Sequence, residues 1–200
     1  MKDNIVRDVE LVKRAIGGDK KVLRQIVELN KKKIFYLAYD LTGSTENAED
    51  LSQEVFLKLF RSLEKYKGDA LLSSWLYRIT VNTFLSQKKL GANKIMENII
   101  DEQAIEKIND NINNPNILSS PEKSVEGKQI QEHLSTALEK LSPRERAVFV
   151  LRNYQGIQLK GCSEYLNISE GTVKSLQFRA VKKLQKILNY YKKQMFMGVR

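Results

Sequence analysis

Apolar residues recur at three- and four-residue spacing along most of the 200-residue chain, and proline and glycine are few. This spacing places apolar side chains on one face of a helix, so the pattern predicts an all-α fold. In the N-terminal half the predicted helices cover about 4–16, 19–41, 46–66 and 73–89. In the C-terminal half they cover about 123–139, 143–153, 158–166 and 170–192.

Short polar signals mark the ends of these helices. Gly17-Gly18 ends the first helix, and Asp19 is placed to cap the second. Ser142-Pro143 supplies an N-cap and a first-turn proline, and Ser169 is placed to cap the last helix. Along the second helix the spacing predicts five inward-facing side chains: Val22, Ile26, Leu29, Leu37 and Leu41.

The segment between the two halves has a different composition. Residues 91–125 contain seven asparagines and carry a net charge of −3, whereas residues 1–90 carry +5 and residues 126–200 carry +8. This composition predicts a flexible acidic linker. Partial helical order stays open, because five isoleucines could line one side of a helix: Ile95, Ile99, Ile105, Ile108 and Ile112.

Charge and composition narrow the classes of function. The formal net charge of +10 favours an anionic partner, nucleic acid before an acidic membrane surface. A single cysteine, Cys162, predicts a small core residue in a reducing compartment, and the single His133 leaves no metal-ligand cluster. We find no phosphate-binding loop or nucleophile–base pair, so we expect no enzyme, no catalytic residue and no cofactor. Without a signal peptide or a run of roughly 20 apolar residues, we expect a cytoplasmic protein.

The stretch "IQLKGCSEYLNISEGTVKSLQFRAVKKL" is typical of a helix-turn-helix. Its second helix keeps an apolar stripe from Val173 to Leu184 and is basic on the opposite side. Such a helix uses its early residues to contact base edges in the major groove, while basic residues hold phosphates. Phe178 lies among these charges, either to contact a base or to pack against the preceding helix.

Two N-terminal segments indicate further contacts. In "AEDLSQEVFLKLF" the stripe Leu51, Val55, Leu59 and Leu63 predicts core. Phe56, Leu57 and Phe60 widen its apolar arc, so this helix is either deeply buried or covered by a second protein. In "SSWLYRITVNTFLSQKK" aromatic rings alternate with cations, a combination that suits single-stranded DNA. Packing alone would also account for Trp75.

The chain contains four motifs in this order: "AEDLSQEVFLKLF", "WLYRITVN", "ALEKLSPRERAVFVLR" and "GTVKSLQFRA". Together they resemble an extracytoplasmic function (ECF, group IV) RNA polymerase sigma factor of the sigma-70 family, in the family's order and spacing. The resemblance implies a sigma-2 domain over residues 1–90, a linker over 91–125 and a sigma-4 domain over 126–200. It also implies that the chain binds core polymerase, directs it to promoters and assists their opening.

The resemblance further implies partners and site residues. The polymerase would be bound through the β′ clamp helices and the β flap, and an anti-sigma factor would control the chain. The residues implied at the polymerase surface are Asp50, Gln53, Glu54, Phe56 and Leu57. Those implied at the −10 promoter element are Lys67, Trp75, Arg78, Asn82 and Lys88. Those implied at the −35 element are Thr172, Lys174, Ser175, Phe178, Arg179 and Lys182.

Some positions depart from the family. Many members carry a basic residue where Ser73 and Leu176 stand, and an acid where Ser86 stands. We expect Leu176 to take over core packing while Gln177 turns outward, which leaves the promoter sequence open.

Two other functions stay open from the sequence. A stand-alone helix-turn-helix regulator of the LuxR type shares the C-terminal motif, but it predicts a receiver or ligand-binding domain at the N-terminus and leaves "AEDLSQEVF" without a role. A sigma mimic that only titrates an anti-sigma factor predicts decay of the basic recognition face, where Lys174, Arg179 and Lys182 remain.

Overall fold

The structure is a computed structural model, and it describes residues 2–99, 134 and 136–197. Within these ranges the backbone is helical without any strand, which confirms the all-α prediction. The N-terminal half consists of α1 (Lys2–Ile16), α2 (Lys20–Thr42), α3 (Thr45–Ser62) and α4 (Leu72–Ile99). In the C-terminal half residues 136–139 are helical and precede α5 (Pro143–Phe149), α6 (Leu159–Leu166) and α7 (Glu170–Met197).

Helix α2 is the central element of the N-terminal half. The Asp19 carboxylate caps it by accepting hydrogen bonds from two first-turn amides at 3.1 and 3.2 Å, as predicted. Its predicted inward positions are buried except Leu29, which is 53% exposed. Asn30 takes the inward position instead, one turn after Ile26. The amide of Asn30 donates to the Ile26 carbonyl at 2.8 Å, and this hydrogen bond lets a polar side chain replace an apolar one in the core.

A glycine turn connects α3 to α4. After α3 a single 3₁₀ turn, Leu63–Lys65, leads into Gly68, whose φ of +74° lies in the left-handed region. A Cβ at this position would lie 2.5 Å from Cγ2 of Val9, so any other residue requires α1 or the Val9 side chain to shift. Asp8 in α1 also accepts a hydrogen bond from the N–H of Leu72 at 2.8 Å and thereby secures the start of α4. Helix α1 thus positions this turn.

Helix α4 is longer than predicted. The sequence predicted its end at Lys89, whereas it continues to Ile99. The rest of the segment predicted as linker, the start of the helix predicted over 123–139, and His133 lie outside the described residues. The domain boundaries therefore stay predictions.

The C-terminal half contains the predicted helix-turn-helix. Ser142 and Glu145 form a capping box at the start of α5, which passes directly into a π-helical turn, Val150–Tyr154. Asn167, with a φ of 51°, makes the turn between α6 and α7. Cys162 in α6 is fully buried, as predicted, and burial raises the pKa of its thiol to about 11.

The two halves pack against each other. One continuous cluster of buried apolar side chains includes α2, α3 and α4 together with α5, α6 and the first turns of α7. A smaller cluster, formed by Ala137, Leu138 and Leu141 with Ala180 and Leu184, joins residues 136–141 to α7. Of the helices described, none has the length and apolar character that a membrane crossing requires.

Candidate nucleic-acid and polymerase interfaces

The first turns of α7 have an exposed face opposite a buried stripe. Val173, Leu176 and Ala180 lie in the core, and Ser169 caps the helix by accepting a hydrogen bond from the third backbone amide at 3.1 Å. Phe178 is 68% exposed, so the alternative in which it packs against the preceding helix is wrong. The six residues implied at the −35 element are all exposed: Thr172, Lys174, Ser175, Phe178, Arg179 and Lys182.

The structure confirms the predicted position of Leu176 but not that of Gln177. Leu176 is 5% exposed and packs in the core, as expected. Gln177 was expected to turn outward, but it is half-buried, and its side-chain carbonyl accepts a hydrogen bond from Nε of Arg152 at 3.4 Å. The same guanidinium donates to the Ile157 carbonyl at 2.7 Å and so holds the turn before α6 against α7.

A buried carboxylate supports α7 from behind. Glu145 is 3% exposed, and its Oε2 atom lies 2.7 Å from Nζ of Lys183. Its other oxygen lies 4.0 Å from Nε of Arg179. Burial opposes ionisation, but the hydrogen bonds from Lys183 and Ser142 outweigh it and lower the pKa of Glu145. Sequence reasoning missed Glu145 as a support, although its place in the capping-box pattern was a visible signal.

Helix α3 presents acidic and apolar side chains side by side. Its core stripe is buried as predicted, while Leu57 is 47% exposed and Phe60 is 43% exposed. Helix α3 therefore has apolar side chains that the other described helices leave uncovered. Of the residues implied at the polymerase surface, Phe56 and Glu54 are half-buried, and three are exposed: Asp50, Gln53 and Leu57.

An apolar groove lies between α2 and α3. Phe35 and Tyr36 from α2 line it opposite Phe56 from α3, and Lys31 and Lys32 lie at its basic edge. Sequence reasoning missed the α2 contribution. The signal was present in the run "IFYLAY", because α2 contributes more large apolar side chains there than one inward stripe requires.

A concave pocket lies between the glycine turn and α4. Lys67, Trp75 and Arg78 line it together, so three of the five residues implied at the −10 element meet at one site. Tyr66 packs against Trp75 with ring centroids 5.6 Å apart. Burial, with the nearby Asp8 and Asp69 charges, raises the pKa of Tyr66 to about 12, so its hydroxyl stays protonated. Its hydroxyl donates to the Ala70 carbonyl at 2.6 Å, which fixes the wall of the pocket.

The other two residues implied at the −10 element lie further along α4. Asn82 is exposed, and its amide donates to the carbonyl of Arg78 at 2.8 Å and to that of Tyr165 in α6 at 3.2 Å. Lys88 lies over the ring of Phe84, 5.9 Å from its centroid, and does not line the pocket. Among the residues described, no group of three or more His, Cys, Asp or Glu could hold a metal ion.

Family models match both halves of the chain. The model described as Sigma-70 region 2 matches residues 26–90, and the model described as Sigma-70, region 4 matches residues 137–186. The chain is 30% identical to the ECF RNA polymerase sigma-E factor of Escherichia coli K12, over 86% of this chain and 90% of that protein. It is 26% identical to the RNA polymerase sigma-H factor of Pseudomonas aeruginosa, over 91% of this chain and 94% of that protein.

Two solved structures share the fold. The sigma factor RpoE of Bartonella quintana, in complex with the anti-sigma factor NepR, superposes with a TM-score of 0.65 at 23% identity, over 83% of this chain and 96% of that one. CnrH, in complex with the cytosolic domain of CnrY, superposes with a TM-score of 0.62 at 18% identity, over 92% of this chain and 97% of that one. At these identities the likeness concerns the fold alone.

Proposed function

Because this chain belongs to the ECF RNA polymerase sigma factors and is therefore a transcription initiation factor, we propose that its exposed surfaces divide three contacts among them. One surface binds core RNA polymerase, and two bind the −10 and −35 promoter elements. The observation that carries the proposal is the order of the two family matches: region 2 on the N-terminal helices and region 4 on the helix-turn-helix. A stand-alone helix-turn-helix regulator leaves the first match without a role.

The polymerase contact is assigned to α3 and the groove beside it. Asp50, Gln53 and Glu54 supply polar contacts, while Phe56 and Leu57 supply an apolar centre that this chain leaves uncovered. A polar rim around an apolar centre is the usual anatomy of a protein interface. The proposed occupant is the pair of β′ clamp helices, with the β flap bound by the C-terminal half.

The −10 contact is assigned to the pocket between the glycine turn and α4. A base that leaves the duplex loses stacking worth a few kcal/mol, and an aromatic wall compensates for part of that loss. Trp75 and Tyr66 supply this wall, and Lys67 and Arg78 supply charge for the DNA backbone. Asn82 and Lys88 continue the contact along α4.

The −35 contact is assigned to the exposed face of α7. Thr172, Lys174 and Ser175 occupy the early turns, which reach base edges in the major groove. Phe178 can contact a thymine methyl group, and Arg179 and Lys182 can hold phosphates or bases on either side of it. The Glu145 carboxylate lies 4.0 Å from Nε of Arg179 and contacts this side chain from behind.

The proposal assigns no catalysis to this chain and places it in the cytoplasm, where polymerase and promoter DNA are. It also includes an anti-sigma partner, which would cover the α3 surface or the DNA-binding surfaces. Of the two solved structures, RpoE is bound to an anti-sigma factor and CnrH is bound to the cytosolic domain of CnrY.

Transcription with purified components tests the proposal. The chain, mixed with core polymerase from its source organism and fragments of the genome, should give discrete run-off transcripts that core polymerase alone does not give. Asp50→Ala/Leu57→Ala should lower the affinity for core polymerase by tenfold or more, since an interface centre loses about 2 kcal/mol on truncation.

The matched control is Asp3→Ala/Val6→Ala. It also removes one acid and one exposed apolar side chain, but from α1. Equal loss in both double variants would refute the assignment to α3. Absence of any transcript from the genomic fragments would refute the proposed function.

A further inference from the structure

The groove between α2 and α3 has the size and the lining of a small-molecule site. Its volume is about 430 Å³, and its apolar lining includes Val27, Phe35 and Phe56, all of them half-buried. Tyr36 is 62% exposed at its side, and the ring centroids of Phe35 and Tyr36 lie 6.0 Å apart. Phe35 and Phe56 also pack against the main core, so the fold fixes the shape of the groove. Sites for small ligands are typically recesses of this size with mostly apolar walls.

The α2–α3 groove is elongated along both helices. Val27 and Tyr36 mark the ends of its α2 side, so it follows this helix for about 13 Å. Glu49 and Phe56 mark the ends of its α3 side, which is about 10 Å long. An extended apolar chain fits such a recess better than a compact group of rings does.

The interior of the groove selects against polar ligands. The Ser52 hydroxyl lines it but already donates to the Ala48 carbonyl at 2.6 Å. The side chains of Val27, Phe35 and Phe56 offer no donor or acceptor. A nucleobase or a sugar would therefore bury polar atoms without partners, which is unfavourable. An acyl chain has no such atoms.

The α2 edge of the groove complements an anionic head group. Lys31 and Lys32 lie at this edge, and Nζ of Lys31 is 2.6 Å from Oε2 of Glu28. Lys32 is exposed and forms no ion pair within the described part of the chain. The acid that lines the groove, Glu49, belongs to the opposite edge on α3. One cation therefore remains available beside the apolar recess.

We propose that the α2–α3 groove binds a single-chain fatty carboxylate, with the acyl chain between Phe35 and Phe56 and the carboxylate at Lys32. Phe56 also belongs to the surface assigned to core polymerase, so the carboxylate and polymerase exclude each other. The free fatty acid thereby lowers the fraction of the chain that can enter transcription. The binding itself stands on the groove alone, whereas its effect on transcription rests on the proposed function.

Binding is measured on the full chain by isothermal titration calorimetry. The probe is sodium dodecanoate, kept below its micelle concentration. Decanoate should bind about 15-fold more weakly, since each buried methylene contributes roughly fourfold. Dodecyltrimethylammonium has the same chain with a cationic head group and should bind roughly tenfold more weakly than dodecanoate. Equal affinity for the two head groups would indicate adsorption without a site and would overturn the proposal.

Two lysine variants test the place of the carboxylate. Lys32→Glu should weaken dodecanoate about tenfold, because an attraction becomes a repulsion. The matched control is Lys33→Glu, which makes the same change at an exposed lysine that does not line the groove. At about 150 mM salt it should change the affinity less than twofold, since exposed charges outside the site are screened. Equal losses in the two variants, with helix content unchanged by circular dichroism, would overturn the proposal.

Competition is measured with core polymerase and the fluorescein-labelled chain by anisotropy. Dodecanoate at ten times its dissociation constant should raise the apparent dissociation constant of wild type for polymerase about 11-fold. At that concentration Lys32→Glu should change about twofold, relative to its own affinity without dodecanoate. Dodecanoate that binds at Lys32 without any effect on polymerase affinity overturns the proposed exclusion. A chain that binds polymerase but not dodecanoate overturns the proposal and leaves the proposed function standing.

Discussion

Glu145 provides a quantitative test of how α5 and α7 are held together. It is almost fully buried, completes the capping box with Ser142, and forms an ion pair with Lys183 at 2.7 Å. Glu145→Ala removes the capping-box hydrogen bond that the Ser142 N–H donates to the carboxylate, worth about 1 kcal/mol. It also removes the ion pair, for which we take at most about 1 kcal/mol because the Lys183 side chain is 48% exposed. The free energy of unfolding should therefore fall by about 2 kcal/mol, and the melting temperature by about 4–8 °C.

A second substitution separates the cap from the charge. Glu145→Gln keeps an acceptor for the Ser142 amide but loses the ion pair, so it should cost about half as much as Glu145→Ala. Unfolding is followed by far-ultraviolet circular dichroism in urea. The control is Glu10→Gln, an exposed acid on α1, which should stay within about 0.5 kcal/mol of wild type. Equal losses for Glu145→Ala and Glu145→Gln would contradict the assigned value of the cap.

The pH dependence of the free energy of unfolding provides a further test of the Glu145 ion pair. The pKa of Glu145 in the folded chain is lower than its ordinary value of 4.5, because Lys183 and Ser142 outweigh the opposing effect of burial. The unfolded chain therefore binds the proton first as the pH falls. The stabilising contribution of the carboxylate is fully present above about pH 4.5 and is lost as the pH falls through the folded-state pKa. The stability gap between wild type and Glu145→Gln should close in acid, and a gap that stays constant from neutral pH to pH ~3 would refute the reasoning.

Three further outcomes are expected. Gly68→Ala should lower the free energy of unfolding by about 1–3 kcal/mol in urea melts, because a residue in the left-handed region gains a side chain against α1. The control is Gly91→Ala in α4, where the added methyl group enters open space. It should be neutral or stabilising by up to about 1 kcal/mol. Phe178→Ala should change the preference among −35 sequences in a binding-site selection, while Lys182→Ala should weaken all sequences alike and reduce the salt dependence; a uniform loss with Phe178→Ala would contradict base contact. Cys162 should resist thiol reagents in the folded chain at pH 8, because a pKa of about 11 leaves roughly one thiol in a thousand ionised, and rapid labelling without denaturant would contradict its burial.

Helix type, capped helix starts and the helix-turn-helix were predictable because they depend on local signals. Asp19, Ser142 and Ser169 cap the helices they precede, and a cap depends on residues within one turn. The prediction that Leu29 faces inward was wrong, because spacing alone does not distinguish the edge of a helix face from its centre. A hydrogen-bonded asparagine occupied the centre, and propensity gives no sign of such a replacement.

Contacts between distant elements could not be predicted from the sequence. The pocket around Trp75 could be predicted only as a mixture of aromatic and basic residues on one helix. Its far wall comes from Glu164 and Tyr165, almost ninety residues further along the chain. Likewise, Asp40 and Gln155 are ordinary polar residues in their own segments. Only the packing of the two halves makes them partners.

The continuous core that joins the two halves affects how cooperatively the chain unfolds. Val148, Leu151 and Leu166 belong to the same buried cluster as Leu37, Leu76 and Phe84, so neither half completes its own apolar interior. Heating should then produce one calorimetric transition instead of two independent ones. A fragment cut between the halves would expose part of that cluster and would tend to aggregate. Dissection of this chain into separate pieces therefore changes the stability of each piece as well as its function.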